Sequence, residues 1–298
     1  MHSCFLSIRH RAKIGINQIR GFAIDSANNN KDVYTHGHSE SVVRQHAART
    51  AYNSAAYFLP FLKKGSTVLD VGCGPGSITA DFASIVGPAG HVTAIDVAPG
   101  IIEEARKQTE ACSNVTVEQA DVYSLPYPDN SFDHAHAHQV LQHLSDPLSA
   151  MKEMKRVVKP GGYVACRDAD YETMVGSPDT ETFTKWKSVY QATCRKNNAE
   201  PNAGRFLYQW ARMTGTEPSD IHYSNEVVLY SHEDDDFREK WGRAWSERSI
   251  NSEFGRQAVE YGIASQEEME SISEGWRDWA NNKDGVFYYV NGQVLIKV

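Results

Sequence analysis

The 298-residue chain has no long apolar run, no paired cysteines and no excess of basic residues. It lacks the ~18 consecutive apolar residues of a membrane helix, so the sequence predicts no membrane span. Its five cysteines show no C-x-x-C spacing, which argues against a zinc site or a disulfide framework and favours a reducing compartment. The formal net charge of −8 disfavours a nucleic-acid partner. We therefore expect a cytoplasmic protein that acts on a small molecule.

A glycine-rich loop follows the first predicted strand. Residues 67–71 form a β-branched and apolar run, and glycines stand at positions 72, 74 and 76. From Ser77 onward, apolar residues recur on one helical face. A strand, a glycine loop and a helix open a nucleotide-binding α/β sheet, because glycine turns tightly and leaves no Cβ between the backbone and a ligand.

Two details separate this loop from a dinucleotide-binding site. The fingerprint G-x-G-x-x-G would need a glycine at Ser77, and here the third glycine comes one residue early. In addition, Asp70 stands two residues before Gly72, where a bound pyrophosphate would disfavour a carboxylate. A ligand with an ammonium and a sulfonium group would favour it. Both details argue against a nucleotide-dependent oxidoreductase.

Four more strands follow, and most end in an acidic residue. They are predicted at 91–96, 115–121, 132–138 and 163–168, with helices at 99–107 and 147–158 between them. This alternation predicts an α/β fold with a parallel sheet. Ligands bind such sheets at the carboxyl ends of the strands, where this sequence places Asp70, Asp96, Asp121, His138 and Asp168.

The loop D-x-G-x-G-x-G at residues 70–76, with the acids Asp96 and Asp121, resembles class I S-adenosylmethionine (SAM) methyltransferases. It is most similar to the branch that includes ubiquinone and menaquinone C-methyltransferases and many small-metabolite methyltransferases. The resemblance covers residues 65–170 in detail. It implies a Rossmann-like seven-stranded sheet with helices on both faces, SAM as the cofactor, and direct SN2 methyl transfer to a small, apolar or aromatic metabolite.

The resemblance assigns the methionine end of SAM to the glycine loop. Gly72, Cys73, Gly74 and Gly76 would wrap this part of the cofactor. Asp70 would face its ammonium group.

The resemblance assigns the nucleoside to the ends of strands 2 and 3. Asp96 would accept from both ribose hydroxyls, with Val97 and Ile101 against the sugar and the adenine. Asp121 would accept from the adenine amino group, and Val122 would donate its backbone N–H.

The resemblance places His138 and Gln139 near the sulfonium, because they follow strand 4. A general base is needed only if the pKa of the acceptor requires one. The first candidate is His138, the second is His38, and the third is Asp168 or Asp170.

Three histidines alternate along strand 4, at His134, His136 and His138. A period of two puts them on one face, but neighbours on that face lie over ~6 Å apart, and a zinc site commonly adds acids or cysteines. We therefore predict no metal site, with His134 and His136 packed under helices.

The N-terminal region divides into an extension and a lid. Residues 1–30 are basic, acid-poor and partly amphipathic, which is typical of a mitochondrial transit peptide. The alternative is an extension without a targeting role. Residues 31–60 are predicted as a lid over the cofactor, with Tyr34 and two imidazoles before a helix at 40–58.

The remaining chain extends the minimal fold. The core is predicted at 65–170 and a substrate-covering part at 171–298, with helices at 180–214 and 233–283 and closing strands at 220–231 and 285–298. The last strand carries a hairpin signal at Asn291-Gly292. Clustered tryptophans and tyrosines suggest an apolar or aromatic acceptor. We expect a monomer or a homodimer. The alternative function is a SAM-binding protein of this fold that does not methylate, either a regulator or a rearrangement catalyst.

Overall fold

The computed structural model describes residues 32–37, 48–231 and 235–298. The predicted extension at 1–30 and part of the predicted lid, including His38, lie outside the described residues. A seven-stranded sheet forms the framework, in the order β3-β2-β1-β4-β5-β7-β6. Its strands are β1 (Thr67–Val71), β2 (His91–Asp96), β3 (Val115–Gln119), β4 (Phe132–His138), β5 (Val158–Ser177), β6 (Ile221–Tyr230) and β7 (Val286–Lys297).

The strand directions create a binding crevice. Strands β1 to β5 are parallel, and β7 runs antiparallel to both of its neighbours, β5 and β6. The chain moves outward from β1 to β3 and then returns to place β4 on the other side of β1. A crevice opens outside the carboxyl ends of the strands at such a switch point. The predicted α/β class, the seven strands and the closing strands 6 and 7 are confirmed.

The helices cover both faces of the sheet. They are α1 (Ala51–Ser54), α2 (Ser77–Val86), α3 (Pro99–Gln108), α4 (Pro147–Val157), α5 (Glu181–Lys196), α6 (Ala203–Met213), α7 (Asp235–Asn251), α8 (Glu253–Glu260) and α9 (Gln266–Asn281). Leu69 and Val71 of β1 pack in a cluster with α4 and α6. Val68 packs on the opposite face with α1 and α2. Alternate residues of one strand therefore enter two separate cores.

The chain beyond β5 builds a second apolar core. Trp186 of α5, Trp245 of α7 and Trp276 of α9 are fully buried and lie in one aromatic cluster. The ring centroids of Trp186 and Trp245 lie 4.6 Å apart with an interplanar angle of 75°, an edge-to-face arrangement that favours packing. These three tryptophans, which the sequence pattern associated with an acceptor site, therefore form part of a hydrophobic core.

Local sequence explains several helix ends. The α4 helix begins after Asp146, whose Oδ1 accepts from the Ser149 N–H at 3.0 Å, and Pro147 occupies its first turn. The α9 helix begins with a capping box between Ser265 and Glu268. The sequence predicts a helix over residues 40–58. Among the residues of this range that the structure describes, the helical ones are Ala51–Ser54, the short α1.

The hairpin predicted at Asn291-Gly292 is wrong. Strand β7 continues unbroken through the dipeptide, where Gly292 pairs with Asp168 of β5 and Asn225 of β6. A Cβ on Gly292 would lie 2.0 Å from the Gly204 carbonyl oxygen of α6. This glycine therefore permits a close helix–strand approach and not a turn.

Two strand lengths differ from the predicted ones. Strand β3 ends at Gln119, two residues before Asp121, and β5 extends from Val158 to Ser177. The Pro160-Gly161-Gly162 segment does not end the strand pairing, because the Gly161 N–H donates to the Val298 carbonyl at 2.6 Å. No helix in the described residues has the length and apolar character needed to cross a membrane.

Candidate functional site

The glycine loop connects β1 to α2 in a backbone form that requires glycine. Gly72, Gly74 and Gly76 have φ angles of 62°, 55° and 88°, all in the left-handed region. A Cβ on Gly72 would lie 2.5 Å from a methyl group of Val140, whereas nothing lies within 4 Å of a Cβ position on Gly74. The loop backbone at Gly74 therefore faces open space, as a cradle for a ligand requires.

Asp70 lies below this loop and is 3% exposed. Its Oδ2 accepts from the Thr79 hydroxyl at 2.6 Å, and its Oδ1 lies 2.9 Å from Nδ1 of His136. Both oxygens therefore have partners within the protein, and the contact with the ammonium of SAM stays a prediction. His136 is fully buried and stacked on Phe58, as predicted for a histidine packed under helices.

Asp96 joins the glycine loop to α3. Its Oδ2 accepts from the Gly74 N–H at 3.3 Å, and its Oδ1 accepts from the Ala98 N–H at 3.0 Å. Val97 beside it is 62% exposed, and Ile101 is buried. The carboxylate thus lies at the end of β2 with an exposed apolar side chain next to it, which fits the predicted ribose contact.

The residues after β3 lie next to the end of β2 along the carboxyl ends of the strands. Asp121 is exposed, and its Oδ1 accepts from the Tyr123 N–H at 2.9 Å. Val122 is buried. Cys73 is also buried, and burial raises the pKa of its thiol, which therefore stays protonated at neutral pH. The predicted roles of these residues toward SAM remain predictions.

Gln139 marks the point where β4 ends at the crevice. It has a φ of 57°, and its N–H donates to the Arg167 carbonyl at 2.7 Å. Its side-chain amide donates to Asn291 at 2.9 Å and accepts from Gln142 at 2.7 Å. This amide network was not predicted, because Asn291 is 152 residues away in the chain.

A small cavity of about 30 Å³ lies beside Gln139. It is lined mainly by aromatic and cationic side chains from the N-terminal segment, β5, α7 and β7. The lining residues are Tyr34, His36, Arg49, Gln139, Gln142, His143, Ala169, Tyr171, Met174, Trp241, Trp245, Arg248 and Tyr289. We call this cavity the ring pocket.

Residues 32–37, which we call the strap, form one wall of the ring pocket. Nε2 of His36 forms a hydrogen bond of 2.8 Å with the Tyr190 hydroxyl. Burial and nearby cations hold the pKa of His36 well below its usual value, so its imidazole is neutral. Tyr34 meets His143 edge-on, with ring centroids 4.7 Å apart. Tyr34 thus lines the ring pocket, and its predicted contact with SAM stays a prediction.

The candidate bases lie around the pocket and not in its lining. Nδ1 of His138 is 3.4 Å from a guanidinium nitrogen of Arg167. Asp168 is fully buried and accepts from the Gln142 N–H at 3.1 Å. Asp170 accepts from two nitrogens of Arg205 at 2.7 and 2.8 Å. The three carboxyl and imidazole groups are engaged with neighbouring protein groups, and their role as bases remains a prediction.

Two arginines of the ring pocket were not predicted as site residues. Arg49 lies within the predicted lid helix at 40–58, and Arg248 lies in α7, 2% exposed. Neither position carries a motif, and only the fold brings them together. Among the described residues, no group of three histidine, cysteine, aspartate or glutamate side chains could hold a metal ion.

Comparison with known proteins adds four findings. A family model described as a methyltransferase domain matches residues 62–226. An uncharacterized methyltransferase of Schizosaccharomyces pombe is 32% identical over 274 residues, or 89% of this chain and 96% of the relative. A demethylmenaquinone methyltransferase of Staphylococcus aureus is 40% identical over 113 residues, or 38% of this chain and 47% of the relative. The solved YcgJ protein of Bacillus subtilis shares the fold, with a TM-score of 0.51 and 17% identity over 83% of this chain and 98% of its own.

Proposed function

Because the chain belongs to the class I SAM-dependent methyltransferases, we propose that it methylates a small aromatic metabolite that binds at the ring pocket. With about 30 Å³ in this structure, the pocket has room for only a water or two, so the strap and its neighbours have to move aside to admit the metabolite. The observation that carries this proposal is the position of the pocket. Gln139, which directly follows β4 at the crevice, forms part of its wall, and aromatic side chains form much of the remainder. Aromatic walls favour aromatic or apolar ligands.

The proposed cofactor site lies along the carboxyl ends of β1 to β4. The left-handed backbone of Gly72, Gly74 and Gly76 would hold the methionine end of SAM. Asp96 would bind the ribose hydroxyls, with Val97 and Ile101 beside it, and Asp121 and Val122 would bind the adenine. SAM supplies an electrophilic methyl group on a sulfonium. The protein side chains then have to align the acceptor and exclude water.

A protonated acceptor must also lose its proton, which requires a base. His138 is the first candidate base, because it ends β4 and is adjacent to Gln139 of the ring pocket. His36 lines the pocket itself as a neutral imidazole, with its Nε2 already bonded to Tyr190. An acceptor that is already deprotonated needs neither.

Substitution Asp96→Asn tests the cofactor site. It removes the charge that strengthens hydrogen bonds to the ribose, so SAM affinity should fall by about 2 kcal/mol, or roughly thirtyfold. Calorimetry measures this loss. The control Glu104→Gln changes an exposed acid of α3 that pairs with Lys107, and its SAM affinity should equal that of the wild type. Unchanged affinity in Asp96→Asn would refute the assignment.

Incubation with isotope-labelled SAM and a metabolite extract tests the reaction. Mass spectrometry should detect a labelled methyl group on an aromatic compound and an equal amount of S-adenosylhomocysteine. SAM binding without any methylated product would instead favour the non-methylating alternative.

A further inference from the structure

The imidazole of His36 is held among aromatic rings at the ring pocket and is 4% exposed. It stacks on Tyr190, with ring centroids 5.2 Å apart and an interplanar angle of 30°, and its centroid lies 5.6 Å from that of Trp245. We propose that His36 occupies the binding site of the acceptor's ring, so that the closed strap and the acceptor exclude each other. This inference rests on the proposed function and specifies how its substrate is recognised.

The small volume of the ring pocket favours an exchange of one ring for another. About 30 Å³ is free, so a planar metabolite needs space that a protein group now fills. Tyr190 and Trp245 belong to the aromatic core between α5 and α7, and moving them would disrupt that core. His36 belongs to the short strap outside it. Withdrawal of the strap is therefore the change that frees a ring-sized slot with the smallest loss of packing.

The slot that His36 fills is built from contacts that do not involve the strap. Tyr171 stacks on Tyr190, with ring centroids 4.4 Å apart and an interplanar angle of 18°. Trp245 packs edge-to-face on Trp186 in the same core. These walls would keep their shape when the imidazole leaves. A preformed slot between aromatic faces favours a planar ring.

Two phenol hydroxyls converge on one atom of the imidazole. Nε2 of His36 lies 2.8 Å from the Tyr190 hydroxyl and 3.3 Å from the Tyr171 hydroxyl. A phenol hydroxyl can donate and accept, so this pair can bind a ring nitrogen or a phenol oxygen. The substrate class is therefore a planar ring with a polar atom at its edge. Tyr171 and Tyr190 would determine this specificity.

The charges around His36 disfavour a cationic ring in this slot. The charged groups that act on it are the guanidinium groups of Arg49 and Arg248. Its neighbour His143 is neutral, because burial lowers the pKa of this imidazole to about 3. A positive charge beside two cations is unfavourable. The slot therefore suits a ring without positive charge, such as the neutral imidazole that it holds in this structure.

Competition with the strap would lower the apparent affinity for the acceptor. A ligand that binds only the open state has an apparent dissociation constant equal to the intrinsic one divided by the open fraction. Removing the imidazole of His36 removes the competitor and leaves the walls in place. The expected result is opposite to that for a base or a substrate-binding histidine, whose loss would lower methyl transfer.

Calorimetry with free imidazole, on the S-adenosylhomocysteine complex of the full-length protein, tests the slot. At pH ~8.5 the probe is neutral. We expect imidazole to bind His36→Ala at least about tenfold more tightly than the wild type. Adding Tyr190→Phe to His36→Ala removes one hydroxyl and should weaken this binding about fivefold. The control His222→Ala changes an exposed histidine of β6 and should bind imidazole as weakly as the wild type.

Methyl transfer tests whether the slot belongs to the acceptor. The wild type and His36→Ala each receive saturating labelled SAM and a dilution series of the metabolite extract. Half-maximal transfer by His36→Ala should need at least about threefold less extract, with a maximal rate within about twofold of the wild type. His222→Ala should match the wild type in both values.

The outcomes separate this inference from the proposed function. Equal binding of imidazole to the wild type and His36→Ala would overturn the inference. Half-maximal transfer at the same or a higher extract concentration would also overturn it, as would a large fall in the maximal rate or in S-adenosylhomocysteine affinity. If His36→Ala does not fold, His36→Asn, which has no ring, is judged by the same criteria. A wild type that binds no S-adenosylhomocysteine, or transfers no methyl group, would contradict the proposed function itself.

Discussion

The carboxyl group of Asp168 is fully buried within β5, under the turn that carries Gln142. Burial raises its pKa to about 7, and the N–H groups of residues 140–142 and the charge of Arg167 offset this only in part. One of its oxygens has no hydrogen-bond partner among the described residues. The charged form of this carboxyl is therefore disfavoured in the folded state.

The stability of the protein should depend on pH through this group. The folded-state pKa is above the ordinary value of 3.8, so the folded protein binds the proton more tightly than the unfolded chain. The carboxyl of Asp168 therefore makes its full contribution to the free energy of unfolding below pH ~4. This contribution is lost as the pH rises toward about 7, and the loss amounts to up to about 4 kcal/mol. Asp168→Asn should remove this loss.

Urea denaturation at acidic and neutral pH measures the effect of Asp168→Asn. The free energy of unfolding of the variant, relative to the wild type, should increase with pH across this interval. Asp278→Asn provides the control, because Asp278 is exposed and should show no such trend. A pH-independent difference for Asp168→Asn would mean that its carboxyl titrates normally.

At the residue scale, the sequence is most informative where a motif defines the position. Asp70 and the three glycines could be singled out by their spacing, and the glycine φ angles bear out the need for glycine. The partners of Asp70 could not be deduced, because Thr79 and His136 reach it from α2 and β4. Spacing specifies which residue types occur, whereas partners depend on three-dimensional packing.

At the scale of secondary-structure elements, the approach of α6 to β7 depends on two facing glycines. A Cβ on Gly204 would lie 2.6 Å from the Asp168 carbonyl oxygen, and a Cβ on Gly292 would lie 2.0 Å from the Gly204 carbonyl oxygen. These neighbours are backbone atoms, which cannot move aside as a flexible side chain can. Gly292→Ala should therefore lower the free energy of unfolding by about 3 kcal/mol.

Thermal or urea denaturation measures this loss of stability. Gly100→Ala is the control, because the same substitution at that position should not lower stability. Gly100 lies in the first turn of α3 with nothing within 4 Å of its Cβ position. Gly100→Ala should leave stability unchanged or raise it by up to about 1 kcal/mol through helix propensity. A Gly292→Ala protein as stable as the wild type would show that α6 and β7 can separate at little cost.

The same contact explains why one element was predicted incorrectly. An Asn-Gly pair is a strong local signal for a hairpin, but here glycine serves tertiary packing. Strands β1, β2 and β4 were predicted with correct bounds because their apolar runs end in clear loop signals. The long β5 was not, because it continues past Asp168 through its pairing with β7, as far as Ser177 opposite Val286.

At the scale of the whole molecule, the ring pocket could be predicted only in outline. Its walls come from residues as far apart as Tyr34, Gln139, Arg248 and Tyr289. The sequence predicted a lid over the cofactor and an apolar or aromatic acceptor, both of which stay predictions, and only the fold brings the two arginines together. The strap spans this pocket: Asp32 accepts from the Ser145 N–H at 2.9 Å on one side, and Thr35 accepts from Asn197 at 3.0 Å on the other.

The strap should open more readily when its side-chain hydrogen bonds are removed. The double variant Thr35→Val/Tyr190→Phe deletes the bonds to Asn197 and His36 with little change in volume. At about 1 kcal/mol for each bond, the closed state should lose about 2 kcal/mol, or roughly thirtyfold in its population relative to the open state. Amide hydrogen exchange of residues 32–37 should accelerate by that factor.

Tyr261→Phe is the matched control, because it deletes a different hydrogen bond to Asn197 and should leave the exchange of the strap unchanged. Equal exchange rates in the wild type and the double variant would show that the packing of Tyr34 and His36, and not these bonds, holds the strap over the pocket.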